Sequence, residues 1–156
     1  MEYISFRRLT ISDAEQISKV LLSSDESYTK YFHPFDFQTS SIKNVIAKSI
    51  KDCFFAVEIN TGNESKNIGF YMLRGIDQGY TDPMYGVFIS HQYSGKGIAR
   101  LTISHAESFC KLNGFKKLLL KVHPENFRAK NLYESLGFQF LREDASNKNI
   151  VLYKNI

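Results

Sequence analysis

The chain has 156 residues, 43% of them hydrophobic and 23% charged, with a formal net charge of +4; this suits one domain over residues 1–156 with an ample core. Its 20 Lys and Arg are scattered, so the positive balance reads as ordinary surface charge rather than a nucleic-acid footprint, and no apolar run approaches the ~20 residues of a membrane span. The two cysteines, Cys53 and Cys110, form no Cys-x-x-Cys or Cys/His pattern, so metal and redox readings are poor.

The first eight residues lack the long apolar core of a signal peptide, and a reducing, cytoplasmic setting is the default expectation. Residues 3–9 are strand-like. Ser12 or Asp13 can cap a helix that turns Ile17, Val20 and Leu21 inward. Residues 23–38 are irregular and aromatic. Ser40 or Ser41 can cap a second helix carrying Ile42, Val45, Ile46 and Ile50. Residues 53–59 and 68–74 are strands around a polar, glycine-containing turn, which predicts an antiparallel hairpin. A loop over 75–83 leads to an apolar, β-branched and aromatic strand at 84–90.

Ile98, Leu101, His105, Phe109 and Leu112 then recur at spacings of three and four, the period of a helix with one apolar stripe. Asn113-Gly114 stops it. Residues 118–123 form another buried strand. Pro124-Glu125-Asn126 opens a helix striped by Ala129, Leu132, Tyr133 and Leu136, which Gly137 ends. Residues 138–142 and 150–153 are closing strands. Helices on a mixed sheet make the fold class α/β (α+β). A long helical crossover joins parallel neighbours, so the strands at 84–90 and 118–123 are expected side by side. Ligands in such sheets bind beyond the carboxyl ends of the strands.

At that end lies Ser94-Gly95-Lys96-Gly97-Ile98-Ala99-Arg100. Strand, glycine turn and helix together bring unpaired amides and the positive end of a helix dipole to one point, which suits a phosphate. The turn is not a P-loop, because Gly97 follows Gly95-Lys96 where Ser or Thr is needed. Nor is it the dinucleotide fingerprint, because Arg100 stands at the third glycine position. Alone, the stretch reads equally as a plain connecting turn.

A second motif follows about thirty residues on: Asn126-x-x-Ala129-x-x-x-Tyr133-Glu134-x-x-Gly137-Phe138. With the glycine turn and the order of elements, it makes the chain resemble the Gcn5-related N-acetyltransferase family over almost its whole length, most strongly in the second half. One departure stands out: the family's glycine motif usually opens with Gln or Arg, and here Ser94 holds that place. The resemblance implies a mostly antiparallel sheet with a central parallel pair, flanked by helices. It implies acetyl-coenzyme A as cosubstrate and no metal. The amides of Gly95, Lys96, Gly97, Ile98 and Ala99 would hold the pyrophosphate, with charge added by Lys96 and Arg100. The strand edge at Val87, Phe88 and Ile89 would pair with the pantetheine arm, and the Ile89 amide would polarise the thioester carbonyl. Asn126 would bond that arm, or serve only as a helix cap. Tyr133 stands at the family's general-acid position, although periodicity alone reads it as a core residue.

The general base is placed at Asp82, with Asp77, His33 and Glu58 as rivals. His105 and His123 read as structural. The acceptor side would be walled by residues 23–38 and 75–83, with Tyr31, His33, Asp77 and Tyr80 in contact with substrate. The same aromatics read equally as a small core under a long loop. The expected acceptor is a primary amine of a small molecule, an amino sugar first, attacking directly in a ternary complex. The alternatives are a protein lysine or N-terminal acetyltransferase, and a noncatalytic coenzyme A sensor. A homodimer is compatible with the chain. Nucleic acid and membrane are not expected partners.

Overall fold

The computed structural model describes residues 1–156. In chain order the elements are β1 (Glu2–Arg8), α1 (Ala14–Leu22), α2 (Glu26–Thr29), α3 (Thr39–Lys48), β2 (Cys53–Thr61), β3 (Glu64–Arg74), β4 (Met84–Ile89), α4 (Ile98–Leu112), β5 (Lys117–Val122), α5 (Phe127–Ser135), β6 (Gln139–Glu143) and β7 (Ile150–Asn155). The seven strands form one sheet in the order β1-β2-β3-β4-β5-β7-β6. Every neighbouring pair is antiparallel except β4 and β5, which α4 connects by a crossover. The mixed sheet with a central parallel pair is the one expected.

Strands β2 and β3 are buried on both faces, which explains their nearly continuous apolar sequences. On one face, Phe55, Val57, Tyr71 and Leu73 pack with Ile103, Ala106 and Cys110 of α4 and with Tyr133 of α5. On the other, Phe54, Ala56, Phe70 and Met72 pack with Ile17 and Leu21 of α1 and Ile42 of α3. Phe32, Phe35 and Phe37 border this second cluster, so part of the aromatic segment does form a small core under its loop.

Four local expectations need correction. Segment 23–38 contains the short helix α2, capped by Asp25, whose side chain accepts the Ser27 N–H. Helix α3 begins at Thr39 after Gln38, not at a serine cap, and Ile50 lies beyond it, 86% exposed. In α4 the buried stripe is Ile98, Thr102, Ile103, Ala106 and Cys110, while Leu101 and Leu112 face outward. Small side chains let the helix sit close to the sheet, so the larger leucines fall at its margin. Glu58, a rival for the base, pairs at 2.8 Å with Arg7, which also holds Asp13 at 2.7 Å.

That Arg7 contact, aided by the Thr10 amide, holds the Asp13 carboxyl down at about 2. A depressed carboxyl stabilises the fold above its unfolded value, and the contribution is lost as pH falls through the folded one. Asp13→Asn should therefore remove part of the stability loss between about pH 4 and pH 2, measured by urea unfolding. His105 is structural as expected: its Nδ1 bonds the Tyr71 hydroxyl, and burial lowers its pKa.

Gly69 sits where β3 meets β4, and a Cβ there would come within 2.2 Å of the Phe88 carbonyl oxygen. Backbone against backbone leaves little room to yield. Gly69→Ala is expected to destabilise by about 1–3 kcal/mol in chemical denaturation, as overpacked cores do.

Candidate functional site

Strands β4 and β5 begin as partners and then part. Their parallel ladder consists of Met84 with Leu119 and Tyr85 with Leu120. Beyond Tyr85 a gap opens toward the carboxyl ends of both strands. The backbone on the β4 side of this gap follows from register. The Ser90 N–H donates to the Ile68 carbonyl at 2.8 Å, and Phe88 pairs with Phe70 in the same ladder. Even-numbered residues of β4 therefore turn their backbone groups to β3. Odd-numbered ones turn toward β5, as the Pro83 carbonyl does when it accepts the Leu119 N–H at 3.0 Å. The amides of Val87 and Ile89 thus face the gap. Phe88 does not: its backbone belongs to the β3 ladder and its side chain to the core. The Ile89 carbonyl accepts the Tyr28 hydroxyl from α2, which leaves the amide as the polar group that Ile89 offers.

The glycine turn lies at the mouth of this gap. Gly95 and Gly97 adopt φ of 76° and 77°, left-handed conformations that glycine takes without strain. Gly97 is the N-cap of α4, and no side chain caps that helix end. The first bond of this end runs from the Leu101 N–H to the Gly97 carbonyl, so the amides of Ile98, Ala99 and Arg100 remain as donors. A Cβ on Gly97 would meet nothing within 4 Å, so a ligand can approach its backbone. Lys96 lies over the Tyr93 ring at 5.5 Å. Arg128 is a residue the sequence reading missed. Its Nη2 lies 3.3 Å from where a Gly95 Cβ would stand, which brings a cation to the turn.

Asn126 caps α5, its Oδ1 accepting the Ala129 N–H at 3.3 Å. That uses one end of its amide and leaves the Nδ2 donors. Tyr133 is buried against Phe138, and burial pushes its hydroxyl up to about 12. Burial, and next the neighbouring Tyr133, push the Tyr85 hydroxyl well above its usual value. Tyr133 and Tyr85, the residue at which β4 and β5 separate, belong to the same buried cluster.

On the far side of the parting strands is a cavity of about 880 Å³. Tyr31, His33, Tyr80 and Asp82 line it, together with Met84, Tyr85 and Gly86 of β4. Tyr31 is stacked on His123 with ring centroids 4.6 Å apart. The His123 Nδ1 accepts the Glu125 N–H at 3.1 Å, and His33 Nε2 lies 2.7 Å from the Lys30 carbonyl. The Asp82 carboxylate accepts the Lys117 N–H at 3.1 Å and the Thr81 hydroxyl at 3.2 Å. Lone pairs remain on both oxygens.

Asp77 is placed elsewhere. Its carboxylate accepts the N–H groups of Ile50, Lys51 and Asp52 at 2.9, 2.9 and 3.1 Å, and it does not line the cavity. Those bonds, the Lys51 amide foremost, hold its pKa below the usual carboxylate range. Asp77 thus ties the end of α3 to the loop after β3, and the expectation of substrate contact is corrected.

No group of three or more His, Cys, Asp or Glu is arranged to hold a metal ion, and no helix is long and apolar enough to cross a membrane.

Three kinds of similarity bear on this geometry. The acetyltransferase (GNAT) family model matches residues 19–138. An N-acetylaspartate synthetase of Xenopus tropicalis is 28% identical over 100 residues, 64% of this chain and 35% of that protein. An uncharacterized N-acetyltransferase of Methanocaldococcus jannaschii is 23% identical over 140 residues, 86% of this chain and 60% of that one. The chain thus spans about a third and three-fifths of the lengths of these relatives. Among solved structures, a domain from Methanocaldococcus jannaschii superposes with a TM-score of 0.84 at 19% identity, covering 100% of both chains. The PaiA N-acetyltransferase of Thermoplasma acidophilum in complex with coenzyme A gives 0.79 at 20% identity, covering 99% of each. A spermidine N-acetyltransferase of Vibrio cholerae, in complex with coenzyme A and spermine, gives 0.79 at 21%, covering 97% of this chain and 95% of that one. The structures share the fold, the family model spans both motifs, and the protein belongs to the acetyltransferase (GNAT) family.

Proposed function

We propose that the protein transfers an acetyl group from acetyl-coenzyme A to a primary amine of a small molecule, by direct attack in a ternary complex. The observation that carries this reading is the succession along β4 of the uncapped amides at the start of α4, the gap-facing amides of Val87 and Ile89, and the cavity that Tyr85 and Gly86 line. The succession has anion donors at one end, an open strand edge along its length, and room for an acceptor at the other. Coenzyme A fits the first two features: its pyrophosphate suits the turn, and its amide-bearing arm suits a strand edge. Its acetylated form, when bound, supplies an activated thioester.

The chain's own residues have these roles. The amides from Gly95 to Arg100 hold the pyrophosphate, with Lys96 and Arg128 adding charge. The Ile89 amide donates to the acetyl carbonyl oxygen as negative charge grows there. Asp82, on the acceptor side, takes the proton that the incoming ammonium must lose. The amine nitrogen then bonds the acetyl carbon, the carbon–sulfur bond breaks, sulfur leaves toward Tyr133, and the second nitrogen proton passes to the thiolate, giving the amide and the coenzyme A thiol. A hydroxyl at about 12 is a weaker acid than a thiol at ~8.5, so full transfer from Tyr133 runs uphill by about 5 kcal/mol. Its contribution is the hydrogen bond to the departing sulfur.

Exposed Tyr80 supplies an aromatic face against which a sugar ring can pack, and this supports an amino sugar as acceptor. The test is thiol release from acetyl-coenzyme A against amino sugars, amino acids, polyamines and peptides. Release with one class of small amine is expected. Coenzyme A binding without release for any amine would favour the sensor reading, and release with peptides alone would favour a protein substrate.

A further inference from the structure

From the charge of the cavity wall we infer that the acceptor is an amine that also carries a carboxylate or phosphate. This rests on the acetyltransferase reading and adds the acceptor's chemical class. Five Lys and Arg side chains line the cavity: Lys30 before α3, Arg74 at the end of β3, Lys121 on β5, and Arg142 and Lys148 around the β6–β7 turn. Asp82 is the one lining carboxylate.

Two of the five cations have carboxylate partners behind the wall. Arg74 lies 4.0 Å from Asp52, and Lys121 lies 2.7 Å from Asp144. Both acids are buried and neither lines the cavity. They brace their partners rather than offering negative charge to an acceptor. Lys30, Arg142 and Lys148 form no salt bridge.

A concave wall with an excess of one sign, here the unpaired Lys30, Arg142 and Lys148 against Asp82, focuses the field and concentrates ligands of the opposite sign. A polycationic amine would meet repulsion here. An amine with an anionic group gains charge-assisted hydrogen bonds from Arg142 and Lys148. The same field disfavours the ammonium form of the bound amine, which aids loss of its proton to Asp82. The cations come from four separate segments, so the feature belongs to the assembled cavity rather than to a basic run of sequence.

The test uses pairs of amines with one skeleton and different charge: glucosamine and glucosamine 6-phosphate, β-alaninamide and β-alanine, with spermidine as the cationic member. Thiol release and calorimetric titration into the protein–coenzyme A complex are run on the parent and on Arg142→Gln/Lys148→Gln. Both substituted residues are exposed, so the fold is expected to hold. The anionic member of at least one pair should be favoured, the phosphate and carboxylate arms showing which group is recognised. Its KM or Kd should rise at least about tenfold in the double variant, as expected on losing charged hydrogen bonds, with coenzyme A affinity unchanged. Turnover that favours the neutral or cationic member would overturn the inference and leave the acetyltransferase reading standing. Anionic amines that fail to bind, or bind equally well to the double variant, would also overturn it. Binding of an anionic amine that the double variant loses, without transfer to any amine, would uphold the cavity's selectivity for anionic amines but overturn their role as acceptors, together with the transferase reading.

Discussion

Tyr133→Phe is expected to lower kcat by about 100-fold while leaving the Kd for coenzyme A within about twofold. The phenyl ring keeps the packing against Phe138, so the core is preserved and only the hydroxyl is lost. That hydroxyl lies in a water-poor place, where a hydrogen bond to a sulfur gaining negative charge is strong. The pH profile offers a second reading of the same residue. Because burial pushes the hydroxyl up to about 12, it stays protonated across the working range. Loss of activity between pH 9 and 10 should therefore not follow Tyr133, and any falling limb there should persist in the variant. Equal turnover in Tyr133→Phe and parent would return Tyr133 to the role of a core residue.

Gly97→Leu should weaken coenzyme A binding at least about tenfold, because it fills the space beside the helix amides and strains the backbone. A φ of 77° is a left-handed conformation that costs a non-glycine residue about 1–2 kcal/mol. The side chain meets no protein atom within 4 Å of its Cβ position, so the fold should survive. Gly62, in the turn between β2 and β3, is a matched control. It has φ of 61° and equally open surroundings, but belongs to the β2–β3 hairpin, neither strand of which pairs with β5. Gly62→Leu should cost similar stability and leave affinity unchanged. If calorimetry gave Gly97→Leu the parent's affinity with the fold intact, the phosphate-site reading would fail.

Local patterns in the chain carried much of this architecture. The glycine turn, the Asn126 cap and the Tyr133 stripe are each set within a few residues by backbone preference and helical period. The parallel pairing of β4 and β5 also follows locally, since a long helix between two strands permits little else. The α4 stripe misled because leucines outweigh threonine, alanine and cysteine in a hydrophobic count, whereas close approach to the sheet favours the smaller residues.

Other features depend on groups far apart in sequence. Asp77 looked like an acceptor-side acid until folding brought it the amides of residues 50–52. No local rule stops the β4–β5 ladder after Tyr85 and Leu120, or gives the Ile89 carbonyl to Tyr28. Arg128 reaches the glycine turn only because α5 packs beside it. The cationic wall gathers Lys30, Arg74, Lys121, Arg142 and Lys148 from segments that share no pattern. Residue order thus encoded the elements and the phosphate-suited turn, through interactions spanning a turn or two of backbone. The gap, the occupied carboxylates and the sign of the acceptor cavity arose from long-range packing, because charge and hydrogen-bond partners are settled by proximity in space.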